Sequence, residues 1–337
     1  MYKFKILLLL LCLLTAGLSG CSNVSPSTSG KEKILLKLGT DTALDSPETR
    51  GAQRLADLVK EKSKRTLEIQ VYENAKLVNM RDRNENMRIG TTDMGTSSVG
   101  FLSVYQPLLG IFDLPYLYQD KAHEFRVFDS PIGQEINRKL QEEGLRALCY
   151  FDAGTRQITN NRLPIRTAAD LKGLRIRVPH SKASIEGFKT LDTLPLPLPF
   201  GEVYSALQQG TAEGQENPLS LIFHNKFYEV QKYLSITNHQ MFIQVLLISE
   251  KTWQKLSPQH RDILLEAAKE AQSYQRSLAA KEEFELLNQL KEKGMEINQV
   301  ANPQEFAAKT YPLREVYSKR LGQQAQSLFE RIDALRQ

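Results

Sequence analysis

Three places in this 337-residue chain hold side chains whose types could do recognition chemistry. The stretch Gly154-Thr-Arg-Gln-Ile-Thr-Asn160 sets Arg156 just after an apolar run. A second, Gly214-Gln-Glu-Asn-Pro218, is a turn-forming polar cluster that follows a helical pattern. The third is Arg177, a charge between Ile176 and Val178. Residue type and spacing alone leave open whether these arginines are functional or simply solvated. Catalytic constellations are harder to find. The five histidines (His123, His180, His224, His239, His260) show no i,i+4 pair, and His123-Glu124 lacks the second histidine of a zinc-protease helix. Residues 21–337 hold no Gly-x-Ser-x-Gly elbow, phosphate-binding glycine loop or dinucleotide fingerprint. The expectation is a binding protein and not an enzyme, with no metal and no cofactor.

The elements that must position these residues alternate in type. Ile34–Leu38 reads as a strand, and Ser46-Pro47-Glu48 as a helix start with a capping Ser, Pro at the first position and acid in the first turn. Ala52, Leu55, Ala56 and Val59 then mark one helical face. Leu67, Ile69 and Val71 alternate as a strand, a helix follows near Arg81–Ile89, and Thr92–Gly95 and Ala147–Phe151 read as further strands. Thr167-Ala-Ala-Asp170 is a capping-box variant, and Leu174, Ile176 and Val178 alternate with Arg175 and Arg177 on the opposite face. Phe242–Ser249 is an apolar strand interrupted only by Gln244. From Ser257-Pro258 a helical pattern runs to about Lys293, a length of about 50 Å at 1.5 Å per residue, enough to bridge two lobes. Strands alternating with helices indicate an α/β fold with a parallel-type sheet.

Composition fits a sizeable core: 41% of residues are hydrophobic and 25% charged, which suggests about two domains and excludes disorder or a disulfide-dense scaffold. The only long apolar run is Ile6–Leu14, too short for a spanning helix, which needs about 20 residues. With Lys3 and Lys5 before it and small residues after, it has the order of a secretory signal peptide over residues 1–20. Leu18-Ser19-Gly20-Cys21 resembles a bacterial lipoprotein signal, which implies lipidation at Cys21 and attachment to the membrane through it. Residues 21–33 then form a tether. Removing residues 1–20 takes away two lysines and no acid, lowering the formal charge from +5 to +3, which gives no argument for nucleic acid. Cys149 is left without a disulfide partner, as a buried small hydrophobe.

Several longer motifs, in order and in register, carry a family resemblance. They are Phe112-Asp-Leu-Pro-Tyr116, Gly154-Thr-Arg-Gln, Asp170-Leu-Lys-Gly-Leu-Arg-Ile-Arg-Val-Pro179, Pro199-Phe-Gly-Glu-Val-Tyr-Ser-Ala-Leu-Gln208, Glu213-Gly-Gln-Glu-Asn-Pro218, Lys226-Phe-Tyr-Glu-Val-Gln-Lys-Tyr233 and Thr237-Asn-His239. Together they resemble the solute-binding proteins of tripartite (TRAP) transporters across nearly the whole exported chain. The resemblance implies a two-lobed periplasmic-binding-protein-like fold with a ligand cleft between lobes. Residues 34–152 plus 243–282 would form lobe I and 153–242 plus 283–337 lobe II. It also implies an extracytoplasmic receptor, facing the periplasm or cell exterior, that hands an organic acid to a sodium-driven permease with one small and one large membrane subunit. A receptor that presents its ligand to a sensor kinase is the competing reading.

Carried over by position, the resemblance implies that Arg177 pairs with the ligand carboxylate, Arg156 is a second cavity arginine, Asn217 an amide contact and Phe200 a ring packed on the ligand. His239 is a further candidate, with Gln157. A guanidinium fork matches a planar carboxylate in a way lysine cannot. Alternation does not separate Arg175 from Arg177, so that choice rests on the resemblance. Glu213 replaces the usual Asp, and Gly201 stands where Ser is common. Against the sialic acid receptors of the family, Asp41 stands for Asn, Asn79 for Asp and Ser98 for Glu, all at positions implied to face the ligand's distal part. The expectation is therefore a small-molecule carboxylate of the sugar-acid or keto-acid type, such as a uronate, with sialic acid and C4-dicarboxylates disfavoured.

Overall fold

The computed structural model describes residues 33–337. The segment read as a signal peptide, Cys21 and the tether before Lys33 lie outside the described residues. Nine strands form one sheet: β1 (Ile34–Gly39), β2 (Leu67–Tyr72), β3 (Met94–Ser98), β4 (Leu145–Asn160), β5 (Arg175–Val178), β6 (Leu194–Pro197), β7 (Gly214–Pro218), β8 (Tyr233–Ser249) and β9 (Glu296–Gln299). The spatial order is β2-β1-β3-β8-β4-β7-β5-β6, with β9 paired to β8.

The sheet is mixed, not parallel throughout. The groups β2-β1-β3 and β7-β5-β6 are parallel, while the central seams β3–β8, β8–β4 and β4–β7 are antiparallel. The cause is two strands longer than the sequence showed, β4 with 16 residues and β8 with 17. Each runs from one half of the molecule into the other. Their apolar halves, Ala147–Phe151 and Phe242–Ser249, were legible. Their other halves carry Thr, Arg, Gln, Asn and His, buried between neighbouring strands, and polarity hides a strand whose hydrogen bonds and burial come from tertiary context. The crossing is bent. Register shifts separate Asp152 from Thr155 and Arg156 from Ile158, and Gly154 has φ +96° with Pro218 Cβ 2.9 Å from where a Cβ would sit.

Helix α1 (Pro47–Lys62) starts at Ser46, whose hydroxyl accepts from Thr49 N. It buries Ala52, Leu55, Ala56 and Val59 against Leu36, Leu38 and Leu246, the face expected from spacing. The second half has its own cores, one around Val203, Leu207, Phe227 and Leu234 and one around Ile158, Ile176, Val178 and Phe188. The long helix spans Pro258–Glu292, with Ser257 Oγ capping His260 N at 3.2 Å. Its Leu264, Ala268 and Ala271 pack in the first half and its Leu286 and Leu290 in the second, so it bridges both. The C-terminal helices correct the grouping of 283–337 with lobe II. Leu313, Tyr317, Leu328 and Phe329 join the core of Leu109, Phe112 and Val127 in the first half, leaving only the stretch through Phe306 with the second. Cys149 is buried, and burial pushes its thiol up. Among the described residues no helix is long and apolar enough to cross a membrane.

Where the two halves meet, Lys121 lies 2.7 Å from Asp152 and 3.6 Å from Glu124. Glu124 is buried, its Oε2 beyond hydrogen-bond range of any described group, and burial, opposed by Lys121 and reinforced by Asp152, raises its carboxyl to about 8. A carboxyl whose pKa is raised on folding stabilises the fold below its unfolded value and loses that contribution as pH rises through the folded value. Between pH 6.5 and 9 the ionisation of Glu124 is expected to remove about 2 kcal/mol of stability. Melting temperatures across that range should fall, and fall less in Glu124→Gln; equal slopes would show that Glu124 does not titrate there.

Candidate ligand site

Between the halves lies a cavity of about 630 Å³. Its second-half wall holds Arg177, Arg156, Asn217 and Phe200, and its first-half wall holds Asp41, Asn79 and Ser98. Seven of the eight expected site residues therefore converge from distant parts of the chain.

Arg177 sits on β5, paired with Leu196 on one side and Gln215 on the other. Its side chain is nearly fully buried, and Nε and Nη2 donate to the carbonyl of Leu198 at 3.0 and 2.6 Å. Among the described residues it has no carboxylate partner within salt-bridge distance, and its Nη1 makes no hydrogen bond. Burial lowers its pKa, Glu216 raises it and Arg156 lowers it further, but a guanidinium starts high enough to stay charged. Arg175, the residue alternation could not distinguish, is about half exposed and turns to the carbonyls of Thr211 and Gly210, away from the cavity.

Arg156, on β4, is committed differently. Its Nη2 donates to Glu216 Oε1 at 2.8 Å, to the Glu216 carbonyl at 2.7 Å and to Asn217 Oδ1 at 3.1 Å, while Nε donates to Glu216 Oε2. Its Cζ lies 4.4 Å from the centroid of Phe242. Only Nη1 remains without a hydrogen-bond partner among the described residues. Burial raises Glu216, but the Arg156 charge and the bonds from His239 and Arg156 outweigh it and hold the carboxylate at about 2. Glu216 belongs to β7, whose five residues are all buried between β4 and β5, so the cluster read as a turn is a central strand.

His239 corrects the expectation of a ligand contact. It is fully buried behind Glu216 and does not line the cavity. Its Nε2 lies 3.1 Å from Glu216 Oε2 and its Nδ1 2.8 Å from Thr237 Oγ1. A carboxylate only accepts, so Nε2 carries the proton and Nδ1 accepts from the threonine. Burial lowers the imidazole's pKa, in keeping with this neutral form. His239 thus aims Glu216, which aims Arg156. Gln157 is also structural, donating to Asn238 Oδ1 at 2.7 Å and accepting from Asn238 N at 2.9 Å.

On the opposite wall much of the polarity is already engaged. Asp41 Oδ1 accepts from Arg83 at 2.8 Å and its Oδ2 from Met80 N at 3.1 Å. Asn79 caps α2 (Met80–Ile89), accepting from Asp82 N, and Ser98 caps the short helix after β3. Two residues that also line the cavity, Glu48 and Gln244, went unread as site residues. In the sequence Glu48 reads only as a first-turn acid of α1. Gln244 had left a signal as the single polar break in an apolar strand.

A cleft between two α/β halves, spanned by strands and by one long helix and walled by an unpaired buried arginine, is the architecture of an extracytoplasmic solute receptor. The comparisons with known proteins agree. Residues 38–320 match the family described as bacterial extracellular solute-binding protein, family 7, and the chain belongs to this family of TRAP solute-binding proteins. The chain is 32% identical over 303 residues to the 2,3-diketo-L-gulonate-binding periplasmic protein of Escherichia coli, covering 90% of this chain and 89% of that one. It is 34% identical over 307 residues to the sialic acid-binding periplasmic protein of Vibrio cholerae, covering 91% and 93%. A crystal structure of a TRAP periplasmic solute binding protein from Polaromonas sp. JS666, bound to D-erythronate, superposes with a TM-score of 0.87 at 33% identity, covering 90% of this chain and 100% of that one.

Proposed function

We propose that the protein captures a sugar acid or keto acid, holds its carboxylate on Arg177, and delivers it unaltered to a sodium-coupled TRAP permease, from an anchor at Cys21 outside the cytoplasmic membrane. One observation carries the ligand reading: a buried guanidinium on the cavity wall with no acidic partner among the described residues. Removing a charge from water costs several kcal/mol unless it is paired. A ligand carboxylate supplies the missing partner, and each charge-assisted hydrogen bond contributes roughly 1.5–3 kcal/mol. Two such bonds with a few neutral ones account for micromolar affinity, about −8 kcal/mol. Arg156 Nη1 and the Asn217 amide, held by Glu216 and Gln215, add donors on the same wall. The relatives' ligands, a diketogulonate, a sialic acid and an erythronate, are all acids that carry hydroxyls. The lobes would close by bending β4 and β8 near Gly154, excluding water and strengthening every polar contact.

A thermal-shift screen of the purified protein against aldonates, uronates, keto acids, sialic acid and dicarboxylates tests this. Ligand binding to the native state raises its stability by RT ln(1 + [L]/Kd), so a ligand at 100 times Kd adds about 2.7 kcal/mol. We expect the shifts to fall on aldonates, uronates or keto acids. Shifts confined to dicarboxylates would overturn the ligand class, and consumption of any compound would overturn the receptor reading.

A further inference from the structure

The bend between the halves is tied by carboxylates. The register passes from Asp152 opposite Ile243 to Thr155 opposite Met241, so Ala153 and Gly154 together stand against the single Phe242. Side chains hold the backbone there. Asp152 Oδ1 accepts from Gly154 N at 2.8 Å, and Glu283 Oε1, on the long helix, accepts from Thr155 N at 3.3 Å. Gln275 of the same helix brackets Asp152, accepting from its N–H at 2.8 Å and donating to its carbonyl at 2.6 Å. Lys121 and Glu124 reach the bend from the first half, on a helix (Lys121–Asp129) whose Val127 and Phe128 belong to that half's core.

Among the described residues, Asp152, Glu124 and Glu283 gather around one ammonium, and Lys121 is committed to Asp152 at 2.7 Å. Arg276, the other cation acting on Glu124, is bound to Asp129 at 2.6 and 3.0 Å. Glu282, beside Glu283, pairs with His224 at 3.0 Å. Burial raises the Glu283 carboxyl, Lys121 lowers it, Asp152 raises it again and the Thr155 bond lowers it, for a net rise. Next to the bend is a crevice of about 20 Å³, room for one water. Both halves line it: Ser46 and Glu48 at the start of α1, Leu219 and Leu221 of the helix Leu219–His224, with Asp152 and Glu283. It adjoins the ligand cavity, sharing Glu48 and Leu221 with it, so a motion that narrows one narrows the other.

We propose that Glu283 is a positioning residue of the hinge that makes closing of the halves a proton-coupled step, so that binding takes up a proton and affinity falls as pH rises. Such coupling rests on the receptor reading above and on closure at this bend. Closing narrows the crevice, takes water from Glu283 and moves it toward Asp152 and Glu124. Loss of water and the approach of like charge both disfavour the carboxylate. Lys121, already held by Asp152, offsets this only in part. Protonation removes the cost in the closed state, and a cost that differs between two states shifts their equilibrium. The remaining acid on the crevice, Glu48, also titrates, since burial raises its carboxyl to about 7. Its contribution is common to the parent and to Glu283 variants, so their difference isolates Glu283.

Galacturonate, gluconate and erythronate are the probes, because their carboxyls stay ionised above about pH 5 and bring no proton to the site. Calorimetry of the intact protein in two buffers of different ionisation enthalpy counts the protons taken up, and titrations from pH 6 to pH 9 give the affinity. The parent is expected to take up a fraction of a proton and to bind roughly threefold or more weakly at pH 9 than at pH 6. In Glu283→Gln the amide oxygen can still accept from Thr155 N, and the side chain imitates the protonated carboxyl. That variant should match the parent within twofold at pH 6, bind more tightly than the parent at pH 9 and take up at most half as many protons. Glu283→Ala should lose the same share of the uptake; melting temperatures show which variants are folded, and one suffices. A merely structural role would weaken binding alike at every pH. That outcome, no uptake in the parent, or undiminished uptake in a folded variant overturns the proton-coupled hinge alone. Failure of all three acids to bind the parent overturns the receptor reading with it.

Discussion

Arg177→Met is expected to weaken the binding of any carboxylate ligand by at least 100-fold, while the ligand-free protein melts within a few degrees of the parent. The two halves of this result have one cause. In the ligand-free protein the guanidinium is a buried charge whose only hydrogen-bond partner among the described residues is the Leu198 carbonyl. Removing it relieves a desolvation cost and forfeits two hydrogen bonds, effects of opposite sign on stability. In the complex the same charge faces the ligand's carboxylate, and losing two charge-assisted bonds costs roughly 3–6 kcal/mol, more than the 2.7 kcal/mol of a 100-fold change. Arg177→Lys keeps the charge and loses the fork, so at least a tenfold weakening, about 1.4 kcal/mol, is expected. Calorimetric titration of both variants decides the matter. Unchanged affinity in either would remove Arg177 from ligand recognition.

Glu216→Leu should be the most destabilising single change in the buried network that supports the cavity wall. It strands the Arg156 guanidinium, 2% exposed, and leaves His239 Nε2 without its acceptor. Breaking a buried pair by removing one partner costs roughly 3–5 kcal/mol, which lowers the melting temperature by roughly 10 °C for a chain of this size. Replacing both partners, Arg156→Met with Glu216→Leu, removes both buried charges and should recover most of that loss. Scanning calorimetry of the two singles and the double measures the coupling. If the double is as unstable as the sum of the singles, the ion pair is not what holds β4 to β7 there. The contribution of Glu216 also has a pH sign. Its carboxyl is depressed to about 2, so its stabilisation is present above the unfolded glutamate value and disappears as pH falls toward 2. This is opposite to Glu124, and together the two place the stability maximum between acid and mild alkali.

Features that depend on near neighbours were legible in the sequence. The start of α1 at Ser46-Pro47 and its buried face, the capping box at Thr167–Asp170, and the long helix from Pro258 all appear as read. Each is fixed by contacts three or four residues apart, which a sequence displays directly. Arg177, Arg156, Asn217 and Phe200, the residues the family motifs point to, line one cavity.

What failed had partners far along the chain. Gly214–Pro218 looks like a turn because Gly, Asn and Pro favour turns, yet β4 and β5 bury it as a strand. Arg175 and Arg177 are indistinguishable by alternation, and only the end of β5 each occupies sends one to the surface carbonyls and the other into the cavity. Arg156 resembles a free ligand arginine until Glu216, 60 residues on, is seen to engage most of its donors. His239 resembles a ligand contact until Glu216 is seen to lie between it and the cavity. The sequence by itself determined the local elements, their apolar faces and the family. The tertiary structure alone decided which charges are already neutralised within the chain and which remain for a ligand. That division follows from range: backbone and helix-face preferences are set within a few residues, whereas the pairing and desolvation of a buried charge depend on groups that only the fold brings together.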